Sequence, residues 1–453
     1  MMIKLFALGF IFLTMNGCEG WLWNVAQTSS LAGPEKQLNV LILADPLSYR
    51  KTTSGTYGLE HDLISEFAQD SGYQLKFKVF KDVQSLLTAF RRGEGQIASG
   101  RFTSSWAQQN QALLGPSYDE QKIVLACPRV FPLEANFLGR IPRDAEAKVL
   151  LSHRHVSGES SQYLQELYSG LRVFERGNEM TRALLEKANK GLYDCVAADE
   201  MSLEWNLRFF PQFEVKGILP LASSYHFLVA NTEAKLQREL SMWHQRAARH
   251  GEIFKIKDRY QIHLGKLPNV EKRAFIRRLN REGLSEFGPD FKKSAREFQL
   301  PWQLVAAVAY QESKWNPEAL SFTGVRGLMQ LTQATADFVG IEDRTNPQQS
   351  IHGGSKYLRF LLNKQPKHLP YRERLALALA AYNVGCAHLA DAQVLAEKKG
   401  LNPNSWSDLQ KVLPLLADPD YWPKLKHGPA RGHEPVDFVH RVLNYYDLLH
   451  ARI

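Results

Sequence analysis

Three patterns of apolar residues succeed one another along the chain. Near the N-terminus Lys4 precedes an apolar run from Leu5 to Met15, too short to cross a bilayer as a helix but of the length of an export signal. Residues 19–37 show no sustained periodicity and hold Ser29, Ser30, Gly33 and Pro34, the make-up of a tether. From Asn39 the pattern changes to short apolar runs of strand length separated by stretches with helical spacing. Strands are predicted at 39–44, 75–80 and 96–99 and helices at 61–71 and 83–91. A second series begins at Val149-Leu150-Leu151, with helices at 161–169 and 179–190 and a strand at 195–198. Such alternation predicts parallel sheet covered by helices, here as two α/β lobes within 38–266. From about 270 strand signals fade, and 267–453 is predicted to be mainly α.

Length and composition narrow the class. At about 150 residues per domain, 453 residues suggest about three units. A chain 44% hydrophobic, 11% aromatic and 23% charged is neither disordered nor fibrous nor a polytopic membrane protein. The formal charge of +9, from 56 basic and 47 acidic residues, favours a polyanionic partner; nucleic acid, anionic lipid and a carboxylate-rich polymer all qualify. Residues 271–281 carry five of the basic side chains, a pattern expected of a solvated helix face. Four cysteines are too few for a disulfide scaffold or a structural zinc site. Cys127 and Cys195 are either a pair in an oxidising compartment or two buried thiols. Met15-Asn16-Gly17-Cys18 resembles the bacterial lipobox, with Met15 where leucine is usual and an uncommon Asn16. That resemblance implies a signal peptide over 1–18, lipidation of Cys18, membrane attachment through the N-terminus and, with Glu19 next, residence in the periplasm on the outer membrane.

One carboxyl stands out. Residues 304–313 hold no glycine or proline, and Leu304, Val308 and Glu312 fall at i, i+4 and i+8, which puts a carboxyl on the apolar stripe of a helix close to its end. Burial there raises the pKa, as a general acid requires; alternatively Glu312 pairs with Lys314. Other motifs are weak. Ser48-Tyr49-Arg50-Lys51 fits S-x-x-K without its partner motifs. No nucleotide-binding, serine-hydrolase or zinc-protease signature is present, and His433-Glu434 lacks a second histidine, so neither metal nor cofactor is expected.

Two resemblances give these features a context. Tyr57-Gly58-Leu59-Glu60-His61-Asp62-Leu63, Gly100 with Thr103, Gly115-Pro116-Ser117-Tyr118 and the segment 194–200 after Gly191 resemble the extracellular solute-binding proteins of the polar amino-acid type. The resemblance implies a ligand cleft between two lobes. Where that family places a carboxylate-clamping arginine, seven residues after Gly100, this chain has Trp106-Ala107, leaving Arg101 as the nearby substitute; a cleft without a small ligand is the alternative.

Glu312-Ser313-Lys314-Trp315-Asn316-Pro317, then residues 321–332, Ala381-Tyr382-Asn383 and 430–434 resemble the soluble lytic transglycosylase family, and the combined architecture resembles the membrane-bound lytic murein transglycosylase F group. This implies an α/β two-lobed periplasmic-binding-protein-like domain followed by a mainly α lysozyme-like domain acting on peptidoglycan glycan strands, not nucleic acid. It also implies roles. Glu312 would be the single catalytic acid and base, and Ser321 would bond near that carboxyl and the sugar acetamido group. Met329 and Gln330 would lie in the loop along the glycan groove, and Tyr382 and Asn383 would close the site. The Tyr382 phenol either packs in the core or takes the Glu312 carboxyl as partner. Gly324 and Gly327 serve either close approach to sugar or turn geometry. Val325 and Phe438 replace a frequent alanine and tyrosine. With one carboxylate, the muramoyl C6 hydroxyl replaces water as nucleophile and the product is a 1,6-anhydro end. A water-using muramidase and a non-catalytic binding protein are the alternatives. The first domain is then expected to sense a peptide or muropeptide.

Overall fold

The computed structural model describes residues 36–133, 142–144, 146–151, 158–175, 179–261, 267–281, 284, 286–321 and 324–450. The signal-peptide and lipidation readings, Cys18 included, and all but the end of the tether lie outside these residues.

Among the described residues ten strands form: β1 (Lys36–Leu43), β2 (Arg50–Thr52), β3 (Gly55–Tyr57), β4 (Tyr73–Phe80), β5 (Ile97–Phe102), β6 (Leu113–Pro128), β7 (Ala147–Leu151), β8 (Leu171–Glu175), β9 (Cys195–Asp199) and β10 (Phe213–Val229). Eight share one sheet in the order β4-β1-β5-β10-β6-β9-β7-β8. β1 runs parallel to β4 and β5, and β7 parallel to β8 and β9. β1 shows why: Val40 to Leu43 are buried on both faces, as a strand covered by helices on either side must be. β4, at the edge, alternates in exposure instead. The expected helices are present, one ending on Gly72 in the left-handed conformation at Leu59–Ser71, the other capped by Asp82 at Val83–Arg91.

The middle of the sheet departs from the all-parallel expectation. β6 and β10 are long antiparallel strands that join the two parallel trios, with several register shifts between them. The prolines at 116 and 220 interrupt both runs, and the shifts let prolines sit in the sheet at the cost of regular pairing. Cys127 on β6 and Cys195 on β9 form a disulfide, which settles that alternative in favour of pairing.

The C-terminal unit is helical. The Trp302–Ser313 helix is apolar on every side, with Leu304 to Tyr310 all buried. It is surrounded by the Gly288–Glu297, Pro347–Lys364 and His433–His450 helices. The largest hydrophobic cluster runs without a break from the first lobe into this unit. The boundary between them is polar as well as apolar. Asp447, fully buried, meets Arg50 at 3.3 Å and Arg372 at 3.2 Å, and Arg259 bridges Asp62 at 2.7 Å and Glu373 at 3.0 Å. The S-x-x-K match dissolves here: Ser48 is buried, Arg50 belongs to this joint, and Lys51 is exposed.

Candidate active site

Glu312 lies in the last turn of the Trp302–Ser313 helix. That helix stops abruptly because Lys314 and Trp315 both take the left-handed conformation, at φ 53° and 58°, a costly state for two consecutive non-glycine residues. Tertiary contacts hold it: the Trp315 indole donates to the Ala306 carbonyl at 2.8 Å, packs edge-on against Tyr310 and lies tilted against Phe275. Trp315 thereby folds back under the helix and fixes the turn that presents Glu312. Its importance was not legible in the helical spacing, because it acts after the helix ends.

The Glu312 carboxyl is partly exposed but enclosed on most sides by protein, and burial pushes it up to about 8, with Lys314 pulling weakly the other way. The alternative of an ion pair with Lys314 does not form. The Lys314 ammonium lies over the Tyr310 ring at 4.8 Å and donates to Gln311 at 3.4 Å. Among the described residues, none is seen donating a hydrogen bond to the Glu312 carboxyl, so only the distant charge of Lys314 offsets the burial penalty on its charged form.

The loop after the helix is held by its own polar groups. Ser321 Oγ accepts from the Val325 amide at 2.9 Å, and the Gln330 amide donates to the carbonyls of Ala319 at 3.1 Å and Gly327 at 2.8 Å. Gly327 has φ 89°, and a β-carbon there would lie 2.2 Å from the Arg344 carbonyl oxygen. Turn geometry and close backbone approach explain this glycine without a sugar. Gly324, also at positive φ, faces open space. Met329 is buried with its side chain against Gly354, and what it offers the site is its carbonyl.

That carbonyl is the partner of Tyr382. The phenol donates to Met329 O at 2.9 Å, not to the Glu312 carboxyl, which corrects the expected pairing. The cause is the loop, whose fixed carbonyl sits within reach of the ring. The Tyr382 hydroxyl is nevertheless held well above its ordinary pKa by burial and by the charge of Glu312. Phe438 stacks nearly parallel to Tyr382 at 6.1 Å. Asn383 is exposed beside it. The structure thus brings Glu312, the Met329 carbonyl and Tyr382 together, anchors Ser321 and Gln330 in the adjoining loop, and leaves Asn383 facing solvent.

The interlobe cleft keeps a cavity of about 180 Å³ lined by Asp45, Arg101, Thr181, Arg182 and Trp205, among others. Arg101 does not stand free as the substitute clamp. It is buried at φ 55°, ion-paired to Asp199 at 2.9 Å and Asp119 at 3.5 Å, and covered by the Tyr225 ring at 4.0 Å. The protein's own carboxylates occupy the group a ligand carboxylate would need.

Comparison with known proteins agrees with both halves. The family model described as bacterial extracellular solute-binding proteins, family 3 matches residues 38–263, and the model described as Transglycosylase SLT domain matches residues 290–404. A membrane-bound lytic murein transglycosylase F of Shewanella loihica is 33% identical over 96% of this chain and 90% of its own length. One from Pseudomonas fluorescens is also 33% identical, over 97% and 89%. A third, membrane-bound lytic murein transglycosylase F 2 of Alkalilimnicola ehrlichii, is 34% identical over 86% of both chains.

Proposed function

Because this chain belongs to the membrane-bound lytic murein transglycosylase F family, we infer that it cleaves the β-1,4 bond between N-acetylmuramic acid and N-acetylglucosamine with Glu312 as its single catalytic acid and base. The observation that carries this is a carboxyl raised to about 8 at the end of an apolar helix. Near neutral pH it is protonated and can donate to the glycosidic oxygen as the C1–O bond breaks. The carboxylate left behind accepts the proton of the muramoyl C6 hydroxyl while that oxygen bonds to C1, closing a 1,6-anhydro ring. Ordinary glycosidases need a second carboxylate to attack or to activate water. Here the nucleophile is part of the substrate, and its effective molarity can reach about 10⁵ M or more. The Tyr382–Met329 hydrogen bond supports the reading by holding the groove wall against Glu312. Ser321, Gln330 and Asn383 are positioned around that wall to contact the sugars.

The same reading places the chain in the periplasm, attached to the outer membrane through a lipidated Cys18 and the tether. No helix of the described residues is long and apolar enough to cross a membrane. The two-lobed domain senses a small ligand such as a peptide or muropeptide; its cleft cavity supports this, while the engaged Arg101 argues against the usual clamp on a free amino acid. Mass analysis of digested peptidoglycan tests the chemistry: anhydro ends are about 18 Da lighter than hydrolysed ends, by one water. Hydrolysed ends alone would make the enzyme a water-using muramidase.

A further inference from the structure

A second cavity, of about 200 Å³, lies between the second lobe and the Asn269–Arg281 helix; its lining shares no residue with the interlobe cavity and does not include Glu312. Its charged lining consists of Arg129, Glu204, Arg208, Glu214, Lys272 and Arg273. Arg129 and Glu214 neutralise each other at 3.2 Å on the rim. That leaves three cations facing one carboxylate.

Arg208 is the anomalous member. It is almost completely buried, yet Nη2 has no hydrogen-bond partner; Nε donates to the Trp205 carbonyl and Nη1 to Asn444. Burial pushes this guanidinium down to about 10, opposed by Asp447 and reinforced by Arg50 and Arg372. Lys272 is lowered too, by burial and by Arg208. Neither Lys272 nor Arg273 is in an ion pair among the described residues, and the expectation of a wholly solvated basic face at 271–281 fails at these two positions. Glu204 offsets part of the charge on Arg208 and Lys272, and the cavity keeps a net positive lining that an anion would balance.

We propose that this cavity binds a carboxylate group of an acidic peptide. Three cations facing one carboxylate suit a monoanion, and Glu204 in the lining disfavours a dianion such as phosphate. The choice of a peptide rests on the murein substrate inferred above, whose stem peptides bear carboxylates; the anion site itself rests on the cavity alone. The position also gives binding a consequence. On the helix that contributes Lys272 and Arg273, Phe275 packs against Tyr310 at 4.6 Å and Trp315 at 5.7 Å, next to the turn that presents Glu312.

The test is calorimetric titration of the full chain with a glutamate-containing tripeptide, the same peptide fully amidated, and inorganic phosphate. Wild type is expected to bind the free-acid peptide and neither of the others. Lys272→Glu with Arg273→Glu is expected to weaken that binding at least about tenfold. Lys235→Glu, exposed on the Ala234–Arg249 helix and outside the lining of both cavities, should leave it unchanged. Peptide-bearing glycan fragments form a second arm: binding by either source supports the site and tells a released peptide from an attached one. Absence of binding to both, equal binding of the amidated peptide or phosphate, or undiminished peptide binding by the Lys272→Glu with Arg273→Glu variant would overturn the proposal. Because the readout is binding, it is independent of whether Glu312 proves catalytic.

Discussion

At Glu312 a single side chain ties position to proton affinity. Its folded pKa of about 8 lies above the ordinary 4.5, so the protonated acid that chemistry needs is present below about 8 and is lost as pH rises through it. Glycan cleavage should therefore fall about tenfold per pH unit above 8, measured as initial release of soluble fragments; a rate that stays flat to pH 10 would remove Glu312 as the acid. Stability carries the opposite mark. A carboxyl harder to ionise when folded weakens the native state as pH climbs from about 4.5 towards 8, so Glu312→Gln should melt higher than wild type at pH 8 and match it at pH 4. The helix that carries Glu312 was legible because residues 304–313 hold no glycine or proline and are apolar almost throughout. The partner of Tyr382 was not, because Met329 O is set by a loop whose path depends on Gly327 meeting the Arg344 backbone.

Elements whose sequence obeyed one period were found where that period put them; β1 and the Trp302–Ser313 helix are apolar on all sides and could be nothing but central. β6 and β10 obeyed no single period, since proline and register shifts break their alternation, and so the antiparallel pair that joins the lobes was missed. The disulfide between β6 and β9 closes a sequence separation of 68 residues, and the loop-entropy argument assigns it about 4 kcal/mol. Replacing Cys127 and Cys195 by alanine should lower the melting temperature by several degrees in oxidising buffer and remove its sensitivity to reductant. In the loop by the site, Gly327→Ala meets both a positive φ and a carbonyl oxygen at 2.2 Å. It should cost about 2–4 kcal/mol and reduce cleavage along with stability, as read by denaturant unfolding and turnover together.

Across the whole molecule, the two halves are one packed body within the described residues rather than a binding domain trailing an enzyme. The joint is built from charges shared across the two halves: Arg50 from the first meets Asp447, which also holds Arg372 of the second, and Arg259 links Asp62 of its own half to Glu373. Nothing in local periodicity announces such a joint, because the partners lie 397 and 114 residues apart. Asp447→Asn leaves Arg50 and Arg372 facing a neutral amide in a buried setting, and should cost about 3–5 kcal/mol and destabilise both halves in one transition, seen by calorimetry. The net charge of +9 fits the carboxylate-bearing peptides of murein. The central claim is that one carboxyl does both proton transfers. Digestion of peptidoglycan by wild type and Glu312→Gln side by side tests it most directly: anhydro-ended fragments from wild type and none above background from the variant are expected, whereas continued release of such fragments by Glu312→Gln would contradict it.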